Sequence, residues 1–569
     1  MSILAPIFIQ QAGHSAAKRF EVATEDPVGT QLTKLMEIVR RNQDTEYGRE
    51  YRFADIHSVD DWRRLVPVIS YEDIRERMDR VAEGAKNVFT AEDPVMFNQT
   101  SGTTGSAKYI PVTPTCKGRD HSDQMRTWIY HAYKKHHRLF AGKIVTLVSP
   151  AVEGYTEAGI PYGSTSGEIY QNMPKAVRGT YAIPYEVFLI KDYEAKYYTV
   201  MRIAVASKIS FVATANPSSI LMMCEKAQDH ADELIRDIAD GTLKSDLEIE
   251  PELRAKIEAI LRKDPARARE LEALRARRDG RLLPADYWPD LALIGCWKGG
   301  TVSSYIDQFP EWFDPDHHGM VPIRDWGYLS SEARCTIPLS DLGSAGVLTV
   351  GTNFYEFVSV EDVDEHPDDH AAWTFLGVDE VERDREYYIF LTTTGGLYRY
   401  DINDVVEIMG THNNTTTLVF NRKGRGMTNI TGEKLSVNHV IAAFDAAQKE
   451  LEIHIPHFKA EPDQEASRYI FKVEAPELAP DQRRRLLEIL DHSLGELNVE
   501  WESKRKSLRL NDPVLQVMKT GWYDHQKEEL VASGKRLFQA KTVLLDSKQG
   551  YHPEGDQLEV EVTLRDEGC

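Results

Sequence analysis

The residues best suited to chemistry begin at Phe97-Asn98-Gln99-Thr100-Ser101-Gly102-Thr103-Thr104-Gly105-Ser106-Ala107-Lys108. Hydroxyl residues and glycines fill positions 100–106 without one large side chain. Glycine lets the backbone turn through positive φ and approach a ligand, while hydroxyls and amide N–H groups can wrap phosphate oxygens. Lys108 adds a point charge at the far end. The spacing is not that of a Walker A loop, which needs a longer gap between its glycines and a Lys-Ser/Thr directly after the second. Two readings stand: a phosphate-gripping loop of another kind, or an ordinary Ser/Thr/Gly turn.

Later stretches carry further candidates. Tyr328-Leu329-Ser330-Ser331-Glu332 sets an aromatic and a carboxylate four residues apart. Leu397-Tyr398-Arg399-Tyr400-Asp401-Ile402-Asn403-Asp404 closes an aromatic turn with an acid. Phe420-Asn421-Arg422 is followed by the Gly turn Asn429-Ile430-Thr431-Gly432-Glu433-Lys434, and Gln539-Ala540-Lys541 lies near the C-terminus. Taken singly, Glu332 reads as a helix-start carboxylate favoured by the macrodipole, and Asp404 as a turn residue. Tyr328 alone reads as core, and Lys541 as a solvent-facing strand residue. The pairs His136-His137 and His317-His318 lack an i, i+4 partner and a nearby cysteine, so they are read as exposed histidines rather than metal ligands. Cys335 is read as a small buried residue. No Ser-His-Asp or Cys-His arrangement is found.

These residues need a scaffold. Helical rhythm is expected over residues 14–50, through Leu32, Leu35, Met36 and Val39, and over 71–83 behind a Ser70 cap. Further helices are expected at 121–138, 218–240 and 251–278, the last with a solvated charged face. Strands are expected at 94–97, 144–148, 208–213, 291–295, 346–350 and 387–392, running on to 405–408. Alternating strands and helices indicate an α/β fold with largely buried sheets. Residues 151–185, rich in Gly, Pro, Ser and Tyr, read as a long ordered loop that could line a pocket. Within residues 121–220, Trp128, Tyr130, Tyr155, Tyr162 and Tyr170 offer aromatic surface for an acyl group, or read as core. Arg422-Lys423-Gly424-Arg425-Gly426 reads as a basic hinge. Two domains follow, at 1–422 and 423–569, the second a compact α+β unit with helices at 436–450 and 480–498, a strand at 469–473 and a final 537–545 segment.

Composition bounds the partners. The 569 residues are 41% hydrophobic and 28% charged, as in a globular protein, and no apolar run is long enough for a membrane span. Five scattered cysteines form neither a disulfide framework nor a zinc site, which indicates a reducing, cytoplasmic compartment. A net charge of −22 argues against nucleic acid or an anionic membrane as partner.

In this order, the five stretches resemble the adenylate-forming superfamily of acyl-CoA synthetases, peptide-synthetase adenylation domains and luciferases. Within it, the chain resembles the Gretchen Hagen 3 family of auxin-responsive acyl acid amido synthetases, through Ser330-Ser331-Glu332, Asn353-Phe354-Tyr355-Glu356-Phe357 and Gln539-Ala540-Lys541. The resemblance implies a large adenylating N-terminal domain, with sheets sandwiched by helices, and a small mobile C-terminal domain that closes over the active site. It implies ATP-dependent adenylation of a carboxylic acid and transfer of the acyl group to an amino acid or amine, with AMP and pyrophosphate released. The alternative is an acyl-CoA or carrier-protein thioester ligase using the same intermediate; a catalytically silent binding module is opposed by intact Glu332 and Lys541. By the same resemblance, Thr100, Ser101, Gly102, Thr103, Thr104 and Gly105 hold the ATP phosphates. Tyr328 packs on adenine beside Ser331, Glu332 ligates Mg²⁺, and Asp404 takes the ribose hydroxyls with Arg422 nearby. Lys541 bridges the substrate carboxylate and the α-phosphate, and a monomer is expected. The chain departs from the family where Asp401 and Asn403 replace the usual Arg and Gly, and where Thr542-Val543 replaces Pro-Arg after the lysine.

Overall fold

The computed structural model describes residues 9–100, 108–299, 303–367, 369–455, 457–523, 525–526, 545, 553 and 555–564. The chain divides into two compact units, Met1–Gln99 with Tyr109–Asn421, and Thr100–Lys108 with Arg422–Cys569.

In the larger unit, Lys143–Thr146, Ile209–Ala213, Leu293–Gly295 and Ile323–Arg324 form a parallel sheet. Crossover helices cover both faces of such a sheet, so its strands read as unbroken apolar runs. Ile209, Ser210, Phe211 and Val212 are accordingly all buried, and the helices Tyr193–Ala204 and Pro217–Asp229 share their core. A six-stranded sheet runs in the order Phe354–Ser359, Glu386–Thr392, Tyr400–His412, Thr415–Lys423, Gly346–Leu348, Thr336–Ile337. A third sheet pairs Met96–Thr100 with Lys108–Val112 on one side and, in parallel, with Pro161–Gly163 on the other. In the smaller unit, Phe458–Asp463, Arg468–Val473, Val514–Met518 and Leu558–Thr563 form one sheet. The helices Val437–Leu451 and Pro480–Leu497 pack on it through Phe444, Leu487 and Leu490. The α/β class expected from the sequence is what the structure shows. No helix of the described residues is long and apolar enough to cross a membrane.

Several local expectations need correction. Residues 151–185 are not a continuous loop: Thr165–Asn172 is helical, and the Ser164 hydroxyl that reads as a turn residue caps it by accepting from the Ser166 N–H at 3.2 Å. The span 218–240 is two helices, Pro217–Asp229 and Ala231–Asp240, broken at His230. The charged span 251–278 is also two, Pro251–Glu258 and Pro265–Ala276. Pro265 cannot continue a helix but starts one, with Asp264 capping at 2.9 Å to the Arg267 N–H. Leu32 is 41% exposed, on the outer face of Pro27–Asn42. His136 is not exposed; it pairs with Asp341 at 2.9 Å. The 71–83 expectation matches the helix Tyr71–Ala82, where the Ser70 N–H donates to Asp73 at 2.7 Å.

One buried ion pair pins the six-stranded sheet to the N-terminal helices. Glu356 accepts from Arg399 Nε at 2.9 Å and from Arg63 Nε at 3.0 Å. The Arg399 guanidinium also donates to the carbonyls of Arg63 and Val66, at 3.1 Å and 2.9 Å, while its backbone holds a left-handed φ of 44°. Removing one partner of such a pair strands a desolvated charge. Glu356→Ala is therefore expected to lower the stability of the larger unit by about 3–5 kcal/mol, measured by thermal or urea unfolding. An unchanged midpoint would show that the pair is not what holds this turn.

Candidate active site

The stretch 328–336 folds back on itself as a tight turn. Leu329 bridges Arg334 in antiparallel fashion, and the Ser330 N–H donates to the Ala333 carbonyl at 2.8 Å. Ser331 and Glu332 thus form a turn tip, so Glu332 does not start a helix. The tip is tied to the strand Met96–Thr100, because Asn98 Nδ2 donates to the Ser331 carbonyl at 3.0 Å. That strand leads directly into residues 100–105. Thr100 ends it, but the Thr100 side chain, Ser101, Gly102, Thr103, Thr104 and Gly105 lie outside the described residues.

Tyr328 stands at the foot of the turn. Its N–H donates to Thr336 Oγ1 at 2.8 Å, and its ring stacks on Phe420 at 5.7 Å between centroids. Its hydroxyl donates to Asp404 Oδ2 at 2.6 Å. Burial first, then the Asp404 carboxylate, pushes the phenol well above its usual range, so it is a committed donor. Asp404 reaches this place through a bulge. Asp401 pairs with Phe390 and Val405 with Tyr388, so Ile402, Asn403 and Asp404 all oppose Ile389. Asn403 absorbs the bend with a φ of 57°, and its N–H donates to Asp401 Oδ1 at 2.8 Å. The two residues that depart from the family pattern are thus a self-consistent Asx-type turn. Burial and then Glu332 raise the Tyr400 phenol, and Asp404 contributes too, which puts both carboxylates near one ring.

The larger unit therefore brings Tyr328, Ser331, Glu332 and Asp404 together. Arg422 sits at the end of Thr415–Lys423 and belongs to the other unit. Lys541 lies outside the described residues, as does the 537–545 segment except Leu545, which bridges Ala460. Of the aromatic residues suggested for the acyl pocket, Trp128 and Tyr170 are core. Trp128 stacks on Trp326 at 4.1 Å and donates to the Asp325 carbonyl, and the Tyr170 hydroxyl donates to the Ile183 carbonyl at 2.5 Å. Tyr155 is 66% exposed. Sequence reading missed Asn98, Gln31 and Arg399. Gln31 Nε2 donates to the Val350 and Asn353 carbonyls, both at 2.7 Å, fastening Asn353-Phe354-Tyr355 to the helix Pro27–Asn42. Lys34 and Asn42 are buried on the same helix, so no local signal marks Gln31.

Cys335 is fully buried, as expected, and among the described residues no group of His, Cys, Asp or Glu side chains is large enough to cage a metal alone. Mg²⁺ does not require a cage: one or two carboxylates plus phosphate oxygens suffice. The hard oxygen donor Glu332 fits that requirement.

The fold and this cluster define an α/β protein whose tight turn, bulge and hydroxyl-rich loop entry meet in one unit. The chain belongs to the GH3 family: the family's N-terminal domain matches residues 16–317, its central domain 346–423 and its C-terminal domain 438–549. It is 24% identical over 447 residues to indole-3-acetic acid-amido synthetase GH3.10 of Arabidopsis thaliana, covering 72% of this chain and 73% of that one. It is 22% identical over 550 residues to jasmonoyl–L-amino acid synthetase JAR6 of Nicotiana attenuata, covering 92% of each. The solved structure of the AtGH3.15 acyl acid amido synthetase in complex with 2,4-DB shares the fold, with a TM-score of 0.63, 21% identity and 97% of both chains covered.

Asp325, just before the turn, supplies a pH test. Burial pushes its carboxyl up to about 6 from 3.8, against the backbone N–H groups of Gly327 and Lys298. The folded chain then holds the proton more tightly than the unfolded chain. The resulting stability is fully present below the unfolded value and is lost as pH rises through about 6. Asp325→Asn should remove this dependence, so the melting-temperature advantage of the wild type over the variant should shrink between about pH 4 and about pH 7. A pH-independent difference in calorimetry would contradict it.

Proposed function

We propose that this protein uses ATP to adenylate a carboxylic acid and then transfers the acyl group to an amino acid or amine, releasing AMP and pyrophosphate. The observation that carries this reading is the convergence of Tyr328, Glu332 and Asp404, from stretches far apart in sequence, beside the strand that enters the hydroxyl- and glycine-rich loop. Membership of the GH3 family and the activities for which its relatives are named support it.

A carboxylate attacking an α-phosphate brings two anions together, so the barrier is largely electrostatic. Residues Thr100 to Gly105 present N–H and hydroxyl donors to the β- and γ-phosphates. Tyr328 offers a ring face to adenine, with Ser331 at the neighbouring turn tip. Asp404, oriented by the Tyr328 hydroxyl, accepts from the ribose hydroxyls, and Arg422 contributes to ATP binding. Glu332 and the phosphates would hold Mg²⁺, which when bound neutralises the leaving pyrophosphate. The unit beginning at Arg422 supplies Lys541, whose ammonium stabilises the charge that builds between carboxylate and phosphorus. The acyl adenylate is a mixed anhydride that an amine attacks directly, so no enzyme nucleophile is needed.

The test is acid-dependent exchange of pyrophosphate into ATP, followed by mass detection of an amide when amino acids are supplied. Lys541→Ala should lower exchange on the order of 10²–10³-fold. Asp404→Ala should raise the KM for ATP roughly tenfold to a hundredfold, the worth of a hydrogen bond to a charged group. Product formed only with coenzyme A, or exchange indifferent to Lys541, would sink the proposal.

A further inference from the structure

Four arginines are buried among the described residues: Arg202, Arg324, Arg334 and Arg399. Arg399 has Glu356, and Arg324 has Asp341 at 2.6 Å from Nε, although its two Nη atoms lack hydrogen-bond partners. Arg202 donates through Nε and Nη2 to the carbonyls of Thr242 and Asp237. Arg334 differs. Only 8% of it is exposed, and among the described residues no carboxylate lies within 4.0 Å of its guanidinium. Its Nη2 donates to the Trp326 carbonyl at 2.7 Å and its Nη1 meets the Met125 sulfur at 4.0 Å, but its Nε has no partner. Asp325 is within electrostatic reach, yet its oxygens are taken up by the Gly327 and Lys298 N–H groups. Burial alone drags the guanidinium down to about 10. A desolvated charge left this way is costly unless an anion arrives.

Two more buried polar atoms beside it lack partners. His121 Nδ1 is one and Gln124 Oε1 is the other. Gln124 is placed by Nε2, which donates to the Arg334 carbonyl at 3.1 Å and to Thr352 at 2.8 Å. Burial and then Arg334 depress His121 to about 4, so the imidazole is neutral. Its Nε2 lies 3.4 Å from the Cys116 sulfur. Burial keeps that thiol protonated. A guanidinium Nε–H, an imidazole Nδ1 and an amide oxygen are thus all buried without a partner. The charged donor suits a carboxylate, and the amide oxygen suits a water or hydroxyl.

We propose that Arg334 and His121, with Gln124, receive a second carboxylate on the acid substrate, one that is not activated. This rests on the adenylation reading and names its substrate class, a dicarboxylic acid. The reacting carboxylate is a poorer occupant. It loses its charge on adenylation, and a cation that grips charge consumed in the reaction stabilises the ground state over the transition state. A spectator carboxylate keeps its charge throughout. Arg334 is two residues from Glu332, so the spectator and reacting ends of the acid meet the same turn.

The experiment compares aliphatic and aryl dicarboxylic acids with their half-amides, which keep one reactive carboxylate and lose the second charge. In pyrophosphate exchange, the wild type should prefer a diacid over its half-amide by at least about tenfold in kcat/KM, the worth of one charged hydrogen bond. Arg334→Met should abolish that preference, and Arg334→Lys should restore part of it. Independently of catalysis, the preferred diacid should raise the melting temperature of the full-length wild type and not that of Arg334→Met. Without ligand, the Met variant should melt no lower than the wild type, since it removes an uncompensated charge. Equal loss on diacid and half-amide would assign Arg334 to the reacting carboxylate and overturn the proposal, as would the absence of any diacid-specific thermal shift. A thermal shift without exchange for any acid would instead refute the adenylation reading and leave the site standing.

Discussion

A carboxylate buried inside a sheet must find a donor, and Asp404 finds one in the Tyr328 hydroxyl. That single hydrogen bond joins a turn to a bulge 76 residues further on. Neither end is free to move. The turn is closed by the Leu329–Arg334 bridge and anchored through Asn98, while the bulge is held open because three residues must fit opposite Ile389. An ordinary register would turn Asp404 to another position along the pleat. The bulge therefore sets where the acid points, and the Glu356–Arg399 pair stiffens the turn that precedes it.

Much of this was legible in the sequence as order rather than as geometry. Tyr328, Glu332 and Asp404 each have an unremarkable reading alone, and only their sequence along the chain distinguished them. The parallel strands were legible because burial on both faces demands apolar runs, as in Ile209 to Val212. Helix ends behind Ser70 were legible because a cap is a local event. What could not be read were partners far away in the chain. Gln31 bonds to residues more than 300 positions on, and Arg399 to a carbonyl at Arg63. Nothing local distinguishes such a glutamine from a solvated one. Prolines misled in a different way: Pro265 marks a helix start, so a charged span that looks continuous is two helices.

The four buried arginines show how the same cost can serve different ends. Desolvating a guanidinium is unfavourable wherever it happens, and the interior compensates through carboxylates at Arg399 and Arg324 and through carbonyls at Arg202. Arg399 and Arg202 are answered within the fold, and Arg324 has a carboxylate on Nε although its two Nη atoms lack partners. Arg334 is answered by one carbonyl and a sulfur, in a chain whose net charge of −22 leaves no shortage of carboxylates. Among the described residues no carboxylate pairs with this cation, and Asp325, within electrostatic reach, is held by backbone N–H groups. An arrangement that is incomplete without an anion is a binding arrangement, and it lies on the turn that carries Glu332. On the proposed reading, specificity for the acid and the chemistry performed on it lie on the same short hairpin, so a substitution at position 334 would change what is activated without moving Glu332.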